Sequence, residues 1–239
     1  MNSNNIPEHL KKYIVKQNYN RYNIIDHNVW SFIMDISIPF FKKHAHHSYF
    51  EGLKKTGITF NKIPSIEYMN TKMNKFGWGA VAVRGFIPPE IFMEFQALAI
   101  LPIACDMRSS EHLTYTPAPD IVHESAGHSP IIINEEYAHY LKEYGRIASK
   151  AIFSDEDSKI YHAIRKLSDI KEDRNATSDQ VLEAERILLE LKKNQSQASE
   201  ATLLSRLHWW TVEYGLIGSL DNPKIYGAGL LSSVGESQN

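Results

Sequence analysis

Two histidines, a carboxylate and a glycine lie within the short stretch His123-Glu124-Ser125-Ala126-Gly127-His128. Neutral imidazole is the commonest protein ligand for a transition metal, so two imidazoles held close by local chain geometry supply most of a metal site. Zinc peptidases place such histidines four residues apart on one helix face. Here the gap is five residues, which on a regular α-helix rotates the second side chain by roughly 140° from the first.

Both rings can still reach one ion if the helix ends at the second histidine. Gly127 and Pro130 are residues expected at such an end. The spacing therefore predicts a metal-binding pair at a helix end, and an ordinary pair of surface or core histidines remains the alternative. It does not identify Glu124 as a hydrolytic base, because the motif is not H-E-x-x-H.

A candidate for the third metal ligand is Glu213, in a segment over 201–218 with helical apolar spacing. The apolar residues recur at gaps of four, three and four: Leu203, Leu207, Trp210 and Tyr214. A carboxylate buried among such residues is costly unless it is paired or bound to a metal. An exposed glutamate on the outer helix face is the alternative that spacing alone does not exclude.

The composition bounds the class of protein. The chain has 239 residues, 43% hydrophobic and 23% charged, with a net charge of −2, which is ordinary for a soluble globular domain and argues against a dedicated nucleic-acid binder. Cys105 is its only cysteine, so there is no disulfide framework. Residues 1–25 lack a signal peptide, and no apolar run is long enough to cross a bilayer. We expect a cytoplasmic protein with no membrane or nucleic-acid partner.

Helical patterns account for most of the chain and predict a mainly α fold with few short strands. Residues 78–84 predict a strand, and a helix opening at Pro88-Pro89-Glu90 is expected to end near Pro102. The remaining pattern predicts helices over 27–47, 49–55, 65–76 and 134–152, and a glycine-punctuated loop over 226–236.

Residues 154–200 differ in character, because Asp, Glu, Lys, Arg, Asn, Gln and Ser dominate there. Two helical apolar stripes persist, and Thr177 to Gln180 resembles a capping box. We interpret the segment as an exposed helical hairpin inserted into a single domain that spans residues 1–239. A solvated insertion without chemistry is favoured over a functional one.

Four segments, taken in order, resemble the pterin-dependent aromatic amino acid hydroxylases, the family of phenylalanine, tyrosine and tryptophan hydroxylases. They are residues 115–120, 123–128, 209–216 and 226–236, and the set is specific although each segment alone is weak. The resemblance covers roughly residues 60–152 and 201–236. It implies the catalytic-domain fold of that family and an activity like that of phenylalanine 4-monooxygenase.

The resemblance implies that His123, His128 and Glu213 hold one ferrous iron, leaving its other face open for water and dioxygen. Tetrahydropterin would be the second cofactor. One oxygen atom would enter the aromatic ring of the amino acid and the other would end on the pterin. Phenylalanine is the favoured substrate.

Further roles follow from the same resemblance. Arg108 would grip the carboxylate of the amino acid, a task suited to the guanidinium fork. Residues on the pterin side would be Ile87, Phe92 and Glu124. The remaining substrate contacts would be Thr116, Pro117, Trp209, Gly229 and Ser232. Catalytic roles are assigned to Glu124 and His208.

Several positions depart from the family pattern. His208 stands where tyrosine is usual, and the 85 positions between His128 and Glu213 exceed the family spacing. Because the chain stops at Asn239, we expect a fragment of a longer protein or a shortened form of the fold. No regulatory domain or tetramerisation helix is recognised, so a monomer is expected.

Two other functions stay open at this point. The first is a metal-dependent hydrolase in which His123 and His128 bind the metal and Glu124 is the base. The second is an inactive fragment that acts as a binding module. Metal content distinguishes the hydrolase from the hydroxylase, since iron with open coordination favours the hydroxylase and tightly held zinc favours the hydrolase.

Overall fold

The computed structural model of the chain describes residues 6–110, 113–114, 119–173, 175–194 and 197–238. The fold is mainly α with few short strands, as the sequence predicted. The α-helices are α1 (Glu8–Lys11), α2 (Ile24–His44), α3 (Tyr49–Thr56), α4 (Ile66–Met73), α5 (Pro89–Ala97), α6 (Glu135–Ala148), α7 (Asp155–Glu172), α8 (Ser178–Lys193), α9 (Glu200–His208), α10 (Ala228–Leu231) and α11 (Val234–Gln238). The strands are β1 (Gly79–Val83), β2 (Ile100–Ala104), β3 (Leu216–Ser219) and β4 (Asn222–Ile225).

The N-terminal helices form the apolar framework of the fold. Helix α2 begins three residues earlier than predicted, because Asn23 and Asp26 form a capping box. Helix α3 ends at Gly57, which adopts a left-handed φ of 83°. The core cluster of buried side chains runs from Val29 in α2 to Val234 in α11, so the segments that carry the site pack against the same core as the first helices.

Strands β1 and β2 pair in parallel, with Gly79 opposite Ile100. The prediction of a helix reaching to Pro102 was wrong. Helix α5 ends at Ala97, the chain turns through Ala99 at a φ of 56°, and β2 follows. Every residue of β2 is buried. A strand that is buried on both faces lacks the alternation of apolar and polar residues from which a sequence predicts a strand.

The predicted helix over 201–218 was also wrong at its end. Helix α9 stops at His208, a π-helix spans Trp209–Glu213, and β3 and β4 then form an antiparallel hairpin. The Gly215 carbonyl accepts hydrogen bonds from two amides beyond β4, which draws the chain out of its helical path. The predicted loop 226–236 contains α10 and the start of α11.

The polar segment folds as the expected helical hairpin, with α7 packed on α8. The predicted capping box of Thr177 and Gln180 begins α8. The base of the hairpin is tied to α9, because the Ile152 amide donates to Glu200 at 3.0 Å and the Thr202 hydroxyl donates to Asp157 at 2.7 Å. Across the described part of the chain, no helix combines the length and the apolar character that a membrane crossing requires.

Candidate metal centre and its cavity

The two histidines lie on a π-helix that spans Val122–His128. The hydrogen bonding of a π-helix joins residues five apart, so it brings the second histidine over the first. The π-helix ends at His128, the position that the sequence predicted for a helix end, and a 3₁₀ helix over Ser129–Ile133 follows it directly. The helical path continues past Pro130 in a 3₁₀ turn, and a side chain at Gly127 would lie 2.6 Å from the Ala228 carbonyl oxygen. Gly127 permits close packing of α10 on the π-helix.

Glu213 lies at the end of the second π-helix and meets both imidazoles. Its carboxylate oxygens are 3.2 Å from His128 Nε2 and 3.5 Å from His123 Nε2. The two Nε2 atoms are 3.1 Å apart. Neighbouring ligands at about 2.1 Å from one ion are separated by about 3 Å, so the three side chains fit a single transition-metal ion. Among the described residues, this is the group of histidine and carboxylate ligands close enough to hold a metal.

The charge states also suit metal binding. Burial raises the pKa of Glu213, but His128 and His123 outweigh it and hold that pKa well below its usual range. Burial lowers the pKa of His123 to about 4, so this ring is neutral at pH 7. For His128, burial acts to lower the pKa but Glu213 raises it above the usual value. A metal ion would displace the proton that His128 shares with Glu213.

Two residues of the C-terminal segment, Gly229 and Ser232, contact the proposed metal ligands. Ser232 Oγ donates to the Ala228 carbonyl and lies 2.9 Å from His123 Nδ1. Ser232 therefore accepts from Nδ1–H, which leaves the Nε2 lone pair directed at the site. A side chain at Gly229 would lie 3.3 Å from the Glu213 carboxylate. Gly229 and Ser232 are predicted to contact the substrate, and in the structure both also lie against metal ligands, Gly229 against Glu213 and Ser232 against His123.

Arg108 is buried and already paired. Its Nε and Nη2 donate to the two carboxylate oxygens of Asp120 at 2.7 and 2.9 Å. Burial raises the pKa of Asp120, but the Arg108 guanidinium and the backbone donors outweigh burial and lower it. Asp120 also accepts from the His123 amide at 3.0 Å, so the pair anchors the first π-helix. The sequence analysis missed Asp120 as the partner of Arg108, although it follows Pro119 at the start of the histidine segment.

A cavity opens over the three ligands, and most of its lining is apolar. Predicted site residues that line it are His123, Glu124, His128, His208, Glu213, Ile87 and Phe92. Arg108 and Trp209 are not among the lining residues. Trp209 is 55% exposed and packs on Tyr214, with ring centroids 4.8 Å apart. The predicted contacts Thr116 and Pro117 lie outside the described residues.

Two residues that line this cavity, Glu124 and His208, each have a buried polar atom without a hydrogen-bond partner among the described residues: Glu124 Oε2 and His208 Nε2. Burial raises the pKa of Glu124 to about 8, helped by the Glu213 and Asp120 carboxylates against the opposing effect of His128. Burial lowers the pKa of His208 to about 4. At pH 7 the first is mainly a neutral acid and the second a neutral imidazole, so both are free to bond a ligand in the cavity.

A mainly α domain built around two histidines and one carboxylate is a mononuclear metal-site scaffold. A sequence profile of the biopterin-dependent aromatic amino acid hydroxylases matches residues 8–168 and 188–239 of the chain. The chain belongs to this family. Residues 169–187, which span the end of α7 and the first half of α8, fall outside the match.

Curated relatives include phenylalanine-4-hydroxylases from Chromobacterium violaceum, 29% identical over 94% of this chain, and Mesorhizobium japonicum, 28% identical over 95%. The chain spans 61% and 66% of the lengths of these relatives. The crystal structure of the Chromobacterium violaceum enzyme with bound iron(III) and 7,8-dihydrobiopterin is 26% identical, with a TM-score of 0.70. That alignment covers 98% of this chain and 74% of the other. A second structure of that enzyme, with iron and phenylalanine bound, has a TM-score of 0.67 at 27% identity and covers 94% of this chain and 66% of the other.

Proposed function

We propose that this chain carries the catalytic centre of a monooxygenase that hydroxylates an aromatic amino acid, with phenylalanine favoured, using ferrous iron, tetrahydropterin and dioxygen. The observation that carries the proposal is the convergence of His123, His128 and Glu213 within bonding range of one ion, below an apolar cavity. Family membership and the iron, dihydrobiopterin and phenylalanine in the relative's structures support it.

The chain's own residues would hold and orient the reactants. His123, His128 and Glu213 would hold the iron next to the cavity that they line. When bound, iron and tetrahydropterin supply the activation of dioxygen, and the protein supplies position and exclusion of water. The apolar lining suits that second task, since water competing at the metal would divert the reaction.

We assign the pterin side of the cavity to Ile87, Phe92 and Glu124. Phe92 offers an aromatic face to a planar ring, and Glu124, as a neutral acid, donates a hydrogen bond to a ring nitrogen or carbonyl. His208, the last residue of α9, lines the cavity, and its buried Nε2 has no hydrogen-bond partner among the described residues. Its role is to bond water or a ligand beside the metal, in place of the tyrosine usual in the family.

The amino acid substrate would be held by its carboxylate at Arg108. Asp120 occupies two nitrogens of this guanidinium, and Nη1 contacts the Leu113 carbonyl at 3.4 Å. The substrate carboxylate would take the place of that long contact. Thr116, Pro117, Trp209, Gly229 and Ser232 complete the proposed substrate side.

A metal-dependent hydrolase is not favoured. The chain belongs to the biopterin-dependent hydroxylase family, and a relative's structure holds iron(III) and 7,8-dihydrobiopterin. A binding module without activity is the remaining alternative. We further propose that residues 1–239 act as one domain with 154–200 as an insertion, and that the chain is a cytoplasmic monomer.

The test is direct turnover. The protein is loaded with Fe(II) under anaerobic conditions, mixed with tetrahydrobiopterin, phenylalanine and air, and assayed for tyrosine. Glu213→Gln is the matched loss-of-ligand variant, and Glu236→Gln changes an exposed carboxylate in α11 as the control. We expect tyrosine from the wild type and Glu236→Gln only. Iron-loaded wild type that oxidises no pterin and forms no tyrosine would favour the binding module.

A further inference from the structure

The helical hairpin reaches two parts of the cavity wall that are far apart in sequence. On one side, Ala151 and Phe153 immediately before α7 line the cavity, as does Ala201 immediately after the hairpin. On the other side, the segment from Gly85 to Ile87 lines it, between β1 and α5. Tyr161 of helix α7 contacts the second part, at Phe86.

Tyr161 contacts Phe86 in two ways. Its hydroxyl donates to the Phe86 carbonyl at 3.3 Å. Its ring lies against the Phe86 ring, with centroids 5.9 Å apart and planes tilted by 41°. A hydroxyl bond and an aromatic contact on the same residue restrain both the backbone and the side chain of Phe86.

The Phe86 segment lies between elements of regular structure, and its neighbour Ile87 packs against the small core cluster of Leu10, Phe95 and Ile100. It follows β1 and precedes Pro88, where α5 is capped without a side-chain hydrogen bond. Gly85 has a left-handed φ of 56° and its amide donates to Asp106. The base of the hairpin, by contrast, is fixed to α9 by the Ile152–Glu200 and Asp157–Thr202 hydrogen bonds. A fixed helix therefore holds a loop against the cavity.

We propose that α7, through Tyr161 as a positioning residue, holds the Gly85–Ile87 wall in the shape that binds a planar heteroaromatic ligand such as the pterin. Helix α7 thus sets the affinity for that ligand without contributing a metal ligand. This inference rests on the proposed function for the identity of the ligand. The restraint on the wall itself is independent of it.

The experiment compares Tyr161→Phe, Tyr161→Leu and a control, Tyr19→Phe. Tyr19 donates a hydroxyl bond to the Ile63 carbonyl at 2.7 Å, is half-buried like Tyr161, and does not line the cavity. Two readouts are taken on the iron-loaded protein: amide hydrogen exchange in the peptide covering residues 84–87, and the Kd for 7,8-dihydrobiopterin by fluorescence quenching. Iron content is measured throughout.

We expect faster exchange at residues 84–87 and a Kd raised by about two- to tenfold in Tyr161→Phe, the range that one neutral hydrogen bond supports. Tyr161→Leu should show larger changes in both, because the ring contact is also lost. Tyr19→Phe should match the wild type, and all four proteins should hold equal iron.

Unchanged exchange and unchanged Kd in Tyr161→Leu would overturn the inference. If the wild type binds no dihydrobiopterin, the proposed cofactor is wrong, and the exchange rates alone decide whether Tyr161 holds the wall. If exchange rises while the Kd does not, α7 restrains the loop but does not set affinity, which also overturns the proposal.

Discussion

Ser232 shows how one hydroxyl determines whether an imidazole is ready to bind metal. It donates to Ala228 and so has only a lone pair to offer His123 Nδ1. The proton of His123 is thereby kept on Nδ1 and the lone pair of Nε2 faces Glu213 and His128. Without Ser232, the ring can rotate or take the other tautomer.

Ser232→Ala is therefore expected to weaken Fe(II) binding by about 10- to 100-fold, as is usual for loss of a partner behind a ligating histidine. The control is Ser233→Ala, which removes a neighbouring hydroxyl that accepts from the Glu236 amide and has no contact with His123. Equilibrium dialysis against a ferrous chelator measures both. An affinity equal to that of the wild type would mean that Ser232 does not orient the ring.

Arg108 carries a second prediction at this scale. Lysine can offer one point charge to Asp120 and to a substrate carboxylate, but not the guanidinium fork. Arg108→Lys should raise the KM for phenylalanine by roughly ten- to a hundredfold, the value of one charge-assisted hydrogen bond. Iron content should be unchanged, and pterin should be oxidised without matching hydroxylation.

A suitable control is Arg146→Lys, since Arg146 forms a similar pair with Glu143 on the protein surface. Because Arg108 and Asp120 are buried, a folding defect must be separated from a binding defect. The KM is therefore compared only at temperatures well below the melting transition of each variant. A KM equal to that of the wild type would remove Arg108 from the substrate site.

At the scale of elements, both halves of the metal site lie on π-helices. Val122–His128 and Trp209–Glu213 each hold an extra residue per turn relative to an α-helix. Such segments are less stable than α-helices and occur mostly at functional sites. Here they re-aim the side chains: the first places two histidines five apart over one another, and the second ends the helix that carries Glu213.

The hairpin of α7 and α8 is the element that gives the clearest test. Deleting residues 155–198 and joining Ser154 to Ser199 through a short glycine linker should leave Fe(II) binding within about twofold of the wild type. The reason is that neither helix contributes a side chain to the three ligands. Iron is quantified after gel filtration, with circular dichroism as the check on folding. A folded deletion variant without iron would show that the hairpin supports the metal site.

For the whole molecule, the metal ligands join two segments that are 85 positions apart in the chain. A metal ion that bridges His123, His128 and Glu213 binds the folded state and not the unfolded chain. At a free concentration of about 100 times its Kd, it adds about 2.7 kcal/mol to the free energy of unfolding. For a domain of this size, that corresponds to a rise in Tm of roughly 5–10 °C.

Differential scanning fluorimetry under anaerobic conditions, with and without Fe(II), measures this shift. Glu213→Gln should show little or none of it, because one of the three ligands has lost its charge. Mg²⁺, which prefers oxygen ligands, is the control ion and should leave the Tm unchanged. Equal shifts with Fe(II) in the wild type and Glu213→Gln would place the bound metal elsewhere.

The sequence alone determined the features that depend on residues close together in the chain. Apolar periodicity predicted most of the helices, including the hairpin, and the capping box of Thr177 and Gln180 located the start of α8. The histidine pair and the carboxylate in an apolar helix were also visible as candidate ligands. These features are local because a helix is specified by its own hydrogen bonds and by the face that it buries.

Only the tertiary structure decided which of these residues meet. Glu213 reaches the histidines across 85 positions, Ser232 lies behind His123 across 109, and Tyr161 reaches Phe86 across 75. The π-helices, the buried strand β2 and the pairing of Arg108 with Asp120 were likewise missed or misplaced. Each of these depends on packing between segments remote in sequence, which selects backbone geometry that local propensity does not favour. The spacing of residues along the chain therefore does not predict that backbone geometry.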